Sequence, residues 1–334
     1  MRKGILFIVD ILIGVLLVTG IWTGNYLIPQ KGVKAQSILT DKENQKNNSG
    51  LKATKVVVDS QDWHEKFKDK FTSQVVSTAT SYTSPNVSVE LTYQNYQTNR
   101  LDTSDKGNHK KYGSNISYVL ADIYVGDITC LQTCFAQNTY GVGYYEKLSD
   151  MSAQMKAVLG VNGDSYSNSR HKDNGTIIRN GLIYRAQPTD METCVLNWDG
   201  TMDIYSPEDL KLQTLVDRGA YQSWIFGPSL LDANGKAKTS FLTWDYIRQS
   251  HPRTAIGYYE PGHYCLLVAD GRQETSRGMF LEEMSQLFES LGCKAAYNLD
   301  GGHCSFMTLE DQVVNHPYKA AHQVPDGIFV TEGL

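Results

Sequence analysis

The N-terminal apolar segment is the feature that most constrains how this chain is organised. The run from Gly4 to Trp22 follows Arg2 and Lys3 and carries one acidic residue, Asp10. At about 1.5 Å per residue, a helix of this length nearly spans a hydrocarbon core of roughly 30 Å. The surrounding Ile, Leu and Val residues offset the insertion cost of the acidic group, roughly 2.5–3.5 kcal/mol. We therefore predict a transmembrane signal-anchor over residues 1–23.

A cleaved signal peptide is the alternative interpretation of this segment. Val33-Lys34-Ala35 has the small-residue character of a cleavage site, although it lies well beyond the apolar run. Lys31 and Lys34 follow the run and weaken the orientation that the N-terminal cations favour. Both interpretations place the rest of the chain outside the cytoplasm, and we expect a single-pass protein of the cell membrane.

Polarity divides the remaining chain into two parts. Residues 24–111 are rich in Lys, Gln, Asn, Ser and Thr, and we predict a polar linker or stalk there, with disorder from Asp41 to Gly50. A short amphipathic helix is expected within the linker, from Asp62 to Phe71. Residues 112–334 have the patterns of one globular domain.

The patterns of the globular part predict an α+β fold, with a mixed sheet flanked by helices. Asn180-Gly181 and Asp199-Gly200 each separate two strand-like segments, which is typical of type I′ hairpins. A longer hairpin is predicted around Pro261-Gly262. Further strands are expected over Ile116–Val125, Ala157–Asn162, Lys294–Leu299 and Gly327–Thr331, and helices after Ser149 and over Met279–Leu291.

Charge and cysteine content limit the classes of function. The net charge of -5 argues against a nucleic-acid-binding protein, which usually presents a basic face. The six cysteines suit a compartment where disulfides form, but the sequence does not fix their pairing. The oligomeric state is equally open.

Three aspartates share one sequence context: Asp164, Asp270 and Asp300 each follow an apolar predicted strand and lie next to or near glycine. In sheets of α/β type, strand ends are where ligand sites gather, and glycine lets a ligand approach the backbone closely. We therefore predict that these three carboxylates converge on one pocket.

Arginines lie near these aspartates in the sequence. Arg253 opens a predicted strand, and Arg272 and Arg277 flank the turn that follows Asp270. Because a guanidinium can bind phosphate through two parallel hydrogen bonds, a pocket with both Arg and Asp suits an anionic sugar derivative. Structural ion pairs between these Arg and Asp residues are the alternative.

Several motifs of this chain occur in the order of a known family. They are Asn162-Gly163-Asp164-Ser165-Tyr166, Arg179-Asn180-Gly181, Gly227-Pro228-Ser229, His251-Pro252-Arg253-Thr254-Ala255-Ile256-Gly257, Asp270-Gly271-Arg272, Ser276-Arg277-Gly278-Met279 and Asn298-Leu299-Asp300-Gly301-Gly302. The chain thereby resembles the phosphodiester glycosidase family from about Ile116 to Val330. It departs from the family at His303-Cys304, where members often read Gly-Ser.

The resemblance implies an enzyme that hydrolyses a sugar 1-phosphodiester at the C1–O bond, acting on a cell-surface glycopolymer or a smaller diester. It implies a role at the anomeric centre for Asp300, phosphate binding by Arg253, and contacts to sugar hydroxyls or to Arg for Asp270, with Asp164 in the pocket wall. The implied substrate-binding residues are Asn162, Gly163, Tyr166, Arg179, Arg272, Ser276, Arg277, Gly301, Gly302 and His303. No cofactor is implied, although a divalent cation is compatible with the site.

Three alternatives stay open from the residues alone. A metal-dependent phosphodiesterase would use Asp164, Asp300 and His303 as ligands of a divalent ion. A cysteine enzyme would use Cys304 with a histidine partner, although burial or a disulfide is the ordinary role of such a cysteine. A wall-polysaccharide-binding module would share the fold without turnover.

Overall fold

The computed structural model describes residues 11–20, 22–23, 32–35, 51–100, 112–168, 170–320 and 322–333. Residues 11–20 and 22–23 of the predicted anchor are helical. Within the described ranges, no helix combines the length and apolar character needed to cross a membrane. The segment predicted to be disordered, Asp41 to Gly50, lies outside the described residues.

Strands dominate the described chain, and the helices are few and short. The strands are β1 Val33–Lys34, β2 Lys52–Ala53, β3 Val76–Ser77, β4 Ser81–Thr83, β5 Val87–Gln97, β6 Asn115–Val125, β7 Leu131–Phe135, β8 Thr139–Tyr140, β9 Glu146–Lys147, β10 Leu159–Asn162, β11 Thr176–Arg179, β12 Leu182–Ala186, β13 Thr193–Asn197, β14 Met202–Tyr205, β15 Ala220–Trp224, β16 Arg253–Glu260, β17 His263–Ala269, β18 Ala295–Asn298, β19 Met307–Leu309, β20 Gln312–Val313, β21 Gln323–Val324 and β22 Asp326–Val330. Besides the N-terminal helical residues, the helices are α1 Trp63–Lys66, α2 Leu148–Met155, α3 Leu212–Arg218, α4 Asp245–Arg248 and α5 Leu281–Ser290.

Two larger sheets form the centre of the fold. The seven-stranded sheet has the order β18-β16-β17-β6-β5-β4-β3, and the five-stranded sheet has the order β20-β19-β10-β22-β7. Two three-stranded sheets, β11-β12-β2 and β14-β13-β15, and two strand pairs surround them. The α+β class is confirmed. The single mixed sheet was wrong, because every strand pair in the described residues is antiparallel and the strands are divided among several sheets.

The hairpins follow the turn chemistry of the sequence. Asn180 and Gly181 join β11 to β12 with φ of 49° and 80°, which confirms the type I′ turn. At Asp199-Gly200, between β13 and β14, only Gly200 has positive φ within this described turn, so the predicted type I′ geometry is wrong there. The hairpin around Pro261-Gly262 is confirmed by the pairing of β16 with β17.

Much of the predicted linker belongs to the folded domain. Strand β5 pairs with β6 over eleven residues, from Val87 to Gln97, and buries Val87, Val89 and Leu91. The expected amphipathic helix is reduced to the single turn α1, but its Trp63 is buried against the core. The polar residues of this region lie in loops and at exposed positions of β5, which is why composition alone predicted a stalk.

The six cysteines, all within the described residues, are free thiols. Cys265 and Cys293 face each other with their sulfur atoms 3.8 Å apart. A disulfide bond requires a separation of about 2.05 Å, so this pair is in contact without being bonded.

A groove lies at the junction of the two central sheets, where strands β18 and β10 end. Strand β18 ends beside the start of β16, because the two are antiparallel, with Asn298 opposite Ala255. Strand β10 ends nearby at Asn162, opposite Gly327 of β22. The backbone N–H of Asp300 donates to the carbonyl oxygen of Gly163 at 3.2 Å and so connects the two strand ends.

Candidate functional site

Two adjoining cavities form the groove at the junction of the central sheets. Their volumes are about 170 and 410 Å³, and they share Asn168, Asp300, Gly301 and His303 as lining residues. Asp300 therefore faces both halves of the groove. Among the described residues that line the two cavities, Asp300 is the only one with a carboxylate side chain.

The end of strand β10 holds the backbone of Asp300. The Asn162 side chain donates from Nδ2 to the carbonyl oxygen of Asp300 at 2.7 Å. Its Oδ1 accepts from the Thr254 hydroxyl at 2.6 Å and from the Phe306 N–H at 3.3 Å. Both ends of the Asn162 amide are occupied by these hydrogen bonds and the residue lines neither cavity, so the structure gives it a positioning role for Asp300 in place of the predicted substrate contact.

The two glycines after Asp300 let the chain pass close to its neighbours. A Cβ at Gly301 would lie 2.7 Å from the carbonyl oxygen of Pro252, which is closer than real Cβ contacts. Gly302 has φ of 70° and donates its N–H to the same oxygen at 2.9 Å. Other residues are excluded here because of space at the first glycine and backbone conformation at the second.

The carboxyl group of Asp300 is only partly supported by hydrogen bonds. Removal from water raises the pKa of Asp300 to about 7, while a hydrogen bond from the Cys304 thiol and one from the Gly301 N–H, at 2.9 Å, act in the opposite direction. A carboxyl group with a pKa near neutrality can exchange a proton at physiological pH, which is what acid–base catalysis requires.

Two cations line the smaller cavity with their side chains accessible to a ligand. Arg272 donates from Nη1 to the Tyr318 hydroxyl at 2.7 Å, and its Nη2 lies 3.3 Å from Nδ1 of His251. Arg170 lies over the Tyr246 ring and donates to the hydroxyl of that tyrosine. Because guanidinium groups bind phosphate oxygens through charge-assisted hydrogen bonds, these two residues suit a phosphate group in this cavity.

The backbone of Arg272 is held in an uncommon conformation. Its φ of 58° lies in the left-handed region, which a residue with a long side chain seldom adopts. Such conformations persist where the surrounding structure holds them, and they are frequent at functional sites. The turn between β17 and α5 thus holds Arg272 in a conformation that directs its guanidinium into the groove.

The larger cavity is lined by neutral polar groups. Ser165 and Ser167 are buried, and their hydroxyls have no hydrogen-bond partner within the described structure. Tyr145 and Gln323 contribute further polar groups to the same cavity. Because buried hydroxyls without partners are costly, these serines are suited to bind the hydroxyls of a ligand.

Arg253 lines the smaller cavity beside Asp300, so the two residues lie on the same side of the molecule. Its guanidinium, however, donates to the carbonyl oxygens of Met279 at 3.0 Å, Ile247 at 2.5 Å and Gln249 at 2.5 Å. Burial lowers the pKa of Arg253 to about 9. These hydrogen bonds give Arg253 a structural role beside the cavity, and the role of phosphate ligand stays a prediction.

Asp164 and Arg179 lie in a buried ion-pair network instead of the groove. The carboxylate of Asp164 accepts from the backbone N–H groups of Ile225 at 2.8 Å and Phe226 at 2.9 Å. Nη2 of Arg179 lies 3.6 Å from Oδ2 of Asp164 and 2.5 Å from Oδ2 of Asp326. Because these groups are buried against one another, the predicted places of Asp164 in the catalytic set and of Arg179 in substrate binding are corrected.

Asp270 is also held inside the protein. Its carboxylate accepts from Nδ2 of Asn315 at 2.9 Å and from the backbone N–H of His316 at 3.0 Å. The Ser276 hydroxyl donates to the backbone oxygen of Asp270 at 2.7 Å. Asp270 and Ser276 line neither cavity, so their predicted contacts with substrate are corrected: they shape the turn that carries Arg272.

Three further residues predicted to bind substrate lie inside the protein and contribute to its packing. Arg277 is fully buried and pairs with both carboxylate oxygens of Glu283 on α5, at 2.6 and 3.1 Å. Tyr166 is 1% exposed and stacks on Tyr140 at 5.2 Å between ring centroids. A Cβ at Gly163 would lie 2.9 Å from an oxygen of a neighbouring buried carboxylate, so this glycine serves packing. Substrate contacts are corrected for all three.

The groove also contains residues that the sequence did not single out. They are Tyr145, Ser167, Asn168, Arg170, His171, Phe226, Tyr246, Ile247, His322, Gln323 and Pro325. About half lie in the loops after β10 and before β22, where no periodic pattern exists, and Tyr246 and Ile247 lie on the single-turn helix α4. His251 lies within one of the family motifs. Its contact with Arg272 could not be predicted from local sequence, because the two residues are 21 positions apart.

His303, Cys304 and His322 form a compact cluster beside Asp300. One potential ligand atom from each lies within 4.8 Å of the others, and the two imidazole centroids are 4.0 Å apart. Burial, then the neighbouring imidazole and cations, lower the pKa of His303. Asp164, a member of the metal set considered from the sequence, lies in the buried ion-pair network and is not part of this cluster.

Comparisons with known proteins agree with this fold. The chain is 30% identical over 181 residues to the SPbeta prophage-derived uncharacterized protein YomE of Bacillus subtilis (strain 168), a match that covers 53% of this chain and 28% of that protein. The chain thus matches little more than a quarter of the relative's length.

Two solved structures share the fold at low sequence identity. The zebrafish N-acetylglucosamine-1-phosphodiester alpha-N-acetylglucosaminidase catalytic domain, auto-inhibited by its pro-peptide, is 17% identical with a TM-score of 0.55, over 83% of this chain and 96% of that one. A hypothetical protein from Synechocystis is 12% identical with a TM-score of 0.52, over 74% and 62%. Residues 155–331, more than half of the chain, match the family model described as phosphodiester glycosidase. The chain belongs to the phosphodiester glycosidase family.

Proposed function

We propose that this protein hydrolyses the glycosidic C1–O bond of a sugar 1-phosphodiester. Family membership supports this class of reaction, and the name of the zebrafish protein with the same fold includes a sugar 1-phosphodiester substrate. In the reaction, a water oxygen bonds to C1, the C1–O bond breaks, and its electrons leave with a phosphate monoester. The water proton passes to Asp300.

The observation that carries this proposal is the position of Asp300 as the single carboxylate among the described residues of the groove. Most glycosidases use two carboxyl groups, one of which protonates an alcohol that would otherwise be a poor leaving group. A phosphate monoester is a good leaving group without protonation, because the pKa of its second ionisation is only about 6. One carboxylate therefore suffices in a groove whose other described charged groups are cations.

The two halves of the groove suit the two halves of such a substrate. Arg272 and Arg170 would stabilise the negative charge that grows on the departing phosphate. The hydroxyls of Ser165 and Ser167, in the larger cavity, would bind sugar hydroxyls. Asp300 lies between the two cavities, which is where the anomeric carbon must be placed.

The substrate is proposed to lie outside the cytoplasm, as part of a cell-surface glycopolymer or a smaller diester derived from one. The apolar run from Gly4 to Trp22 after Arg2 and Lys3 supports a membrane anchor for residues 1–23. Fractionation of cells that express the full chain, with protease added to intact protoplasts, tests this location. Degradation of the domain without lysis supports it, and protection until lysis contradicts it.

The activity is tested with Asp300→Asn on a sugar 1-phosphodiester, with release of free sugar as the measurement. We expect kcat to fall by about 100-fold or more, since loss of a general base has effects of this size. Asp245→Asn is the matched control, because the Asp245 side chain is 99% exposed on α4 near the groove. Equal turnover by Asp300→Asn and the control would remove Asp300 from the reaction.

The same measurement separates an enzyme from a polysaccharide-binding module. A binding module retains the diester and releases no sugar, whatever the residue at position 300. Release of sugar by the unchanged chain, in proportion to protein concentration and time, supports catalysis.

A further inference from the structure

The cluster of His303, Cys304 and His322 has the donor set of a transition-metal site. Its potential ligand atoms, two imidazole nitrogens and one sulfur, lie within 4.8 Å of one another. The three residues come from two separate parts of the chain. The first two lie in the short 3₁₀ turn Gly302–Cys304, and His322 adjoins β21, which pairs with β9.

Both imidazoles are available to a ligand. His303 and His322 are exposed at the larger cavity, and neither takes part in a hydrogen bond with another described residue. Their rings contact each other edge to face at an interplanar angle of 65°. Two neutral imidazoles that face one cavity at this distance can direct ring nitrogens to a common point.

Cys304 supplies the third donor from the buried side. It is 7% exposed, and its thiol lies beside the carboxylate of Asp300. A bound cation would replace the thiol proton, and the resulting thiolate offsets part of the positive charge from Arg272 nearby. The open side of the cluster faces the cavity of about 410 Å³.

We propose that His303, Cys304 and His322 bind one zinc ion, with a coordination position open to the groove. Imidazole and thiolate are ligands that zinc prefers, whereas magnesium and calcium require oxygen ligands. Three protein ligands and one open position are typical of zinc sites that contact substrate or water. The proposal concerns binding and stands whether or not the chain hydrolyses phosphodiesters.

Metal titration of the full chain tests the site without any activity measurement. The protein is treated with a chelator, exchanged into chelator-free buffer, and titrated with Zn²⁺ by calorimetry in the presence of excess Mg²⁺. We expect one equivalent to bind, and Mg²⁺ not to compete. Absence of saturable Zn²⁺ binding overturns the proposal.

Cobalt identifies the ligands in the unchanged protein. Bound Co²⁺ should give the strong visible bands of a tetrahedral site together with a thiolate-to-cobalt charge-transfer band. A spectrum without thiolate ligation overturns the assignment of Cys304, even if a cation binds elsewhere. This measurement needs no variant and is independent of folding defects.

Variants then assign the three ligands. Cys304→Ser should abolish the charge-transfer band, and His303→Ala and His322→Ala should each weaken Zn²⁺ binding by roughly 100-fold or more. Cys130→Ser and His64→Ala are matched controls, because Cys130 packs in a different core cluster and neither residue lines the groove. Equal affinity in ligand and control variants overturns the proposal.

Discussion

At the residue scale, the chemistry depends on where one carboxyl group is placed. Asp300 was predicted from its position between an apolar strand and two glycines, and the structure places it at the centre of the groove. Asp164 and Asp270 have a similar sequence context but accept hydrogen bonds inside the protein. Sequence context identifies strand ends, but it does not reveal which side chain points to solvent, because that depends on partners distant in the chain.

The pH dependence of the reaction follows from the pKa of Asp300. Burial raises this pKa to about 7, and the proposed base must be ionised to accept a proton. In chelator-treated protein, kcat/KM should therefore rise with pH up to about 7 and then level. A rate that falls through the same range would assign Asp300 the role of an acid and contradict the proposed step.

The same pKa has a consequence for stability. The folded-state pKa of Asp300 lies above its value of 3.8 in the unfolded chain, so the folded protein retains a proton that the unfolded chain loses. This contribution to stability is complete below about pH 4 and is lost as pH rises to about 7. We expect Asp300→Asn to be more stable than the unchanged protein at pH 8, by about 1 kcal/mol or more in urea unfolding. A less stable variant at pH 8 contradicts this account.

We propose that Arg272, which lines the smaller cavity, contributes to phosphate recognition. Arg272→Gln should lower kcat/KM for a sugar phosphodiester by roughly 10- to 100-fold, since a charge-assisted hydrogen bond contributes about 1.5–3 kcal/mol. Hydrolysis of an uncharged aryl glycoside of the same sugar, where measurable, should change little. Arg100→Gln is the control, because Arg100 pairs with Glu282 at the surface. Equal losses on both substrates would indicate a structural role.

At the element scale, a buried ion-pair network joins the hairpin β11–β12 to the last strand, β22. Arg179 at the end of β11 donates to Asp326 at the start of β22, and Asp164 accepts from the backbone after β15. Two carboxylates share one guanidinium, and burial raises the pKa of both. The hairpin itself could be predicted from Asn180-Gly181, whereas its connection to β22 spans 147 residues and leaves no local signal.

Removal of the shared cation should destabilise the fold. Arg179→Met leaves two buried carboxylates without their cation, and we expect a loss of about 3–5 kcal/mol in unfolding free energy. The loss should be larger at pH 8 than at pH 5, because the carboxylates can be protonated in acid. Lys68→Met is the control and should leave the unfolding free energy nearly unchanged, because Lys68 and Glu65 form an exposed ion pair. A loss in Arg179→Met as small as in the control contradicts the structural role.

At the scale of the whole molecule, the domain begins earlier than composition suggests. Strand β5 covers β6 along its whole length, and Val87, Val89 and Leu91 are buried in the central core. The predicted boundary at residue 112 followed a change in polarity, but a strand such as β5, whose second half is exposed, can be largely polar and still belong to the fold. The antiparallel pairing of distant strands could not be predicted from the sequence either, because periodicity identifies a strand and not its partner.

Shortened chains test this boundary. A chain that begins at Leu51 retains β5 and should unfold cooperatively, whereas one that begins at Ser114 exposes the edge of β6 and loses the buried side chains of β5. Each such side chain contributes about 1.5–3 kcal/mol. We therefore expect the shorter chain to aggregate or to lack a thermal transition. Equal transition temperatures for the two chains would show that β5 is dispensable.

The central claim is that water attacks the sugar carbon and not the phosphorus. Hydrolysis of a sugar 1-phosphodiester in ¹⁸O-labelled water, followed by mass spectrometry of both products, measures this directly. The proposed reaction predicts that the label enters the released sugar and is absent from the phosphate monoester. Label in the phosphate product would show that the P–O bond breaks, and would contradict the account of Asp300 at the anomeric centre.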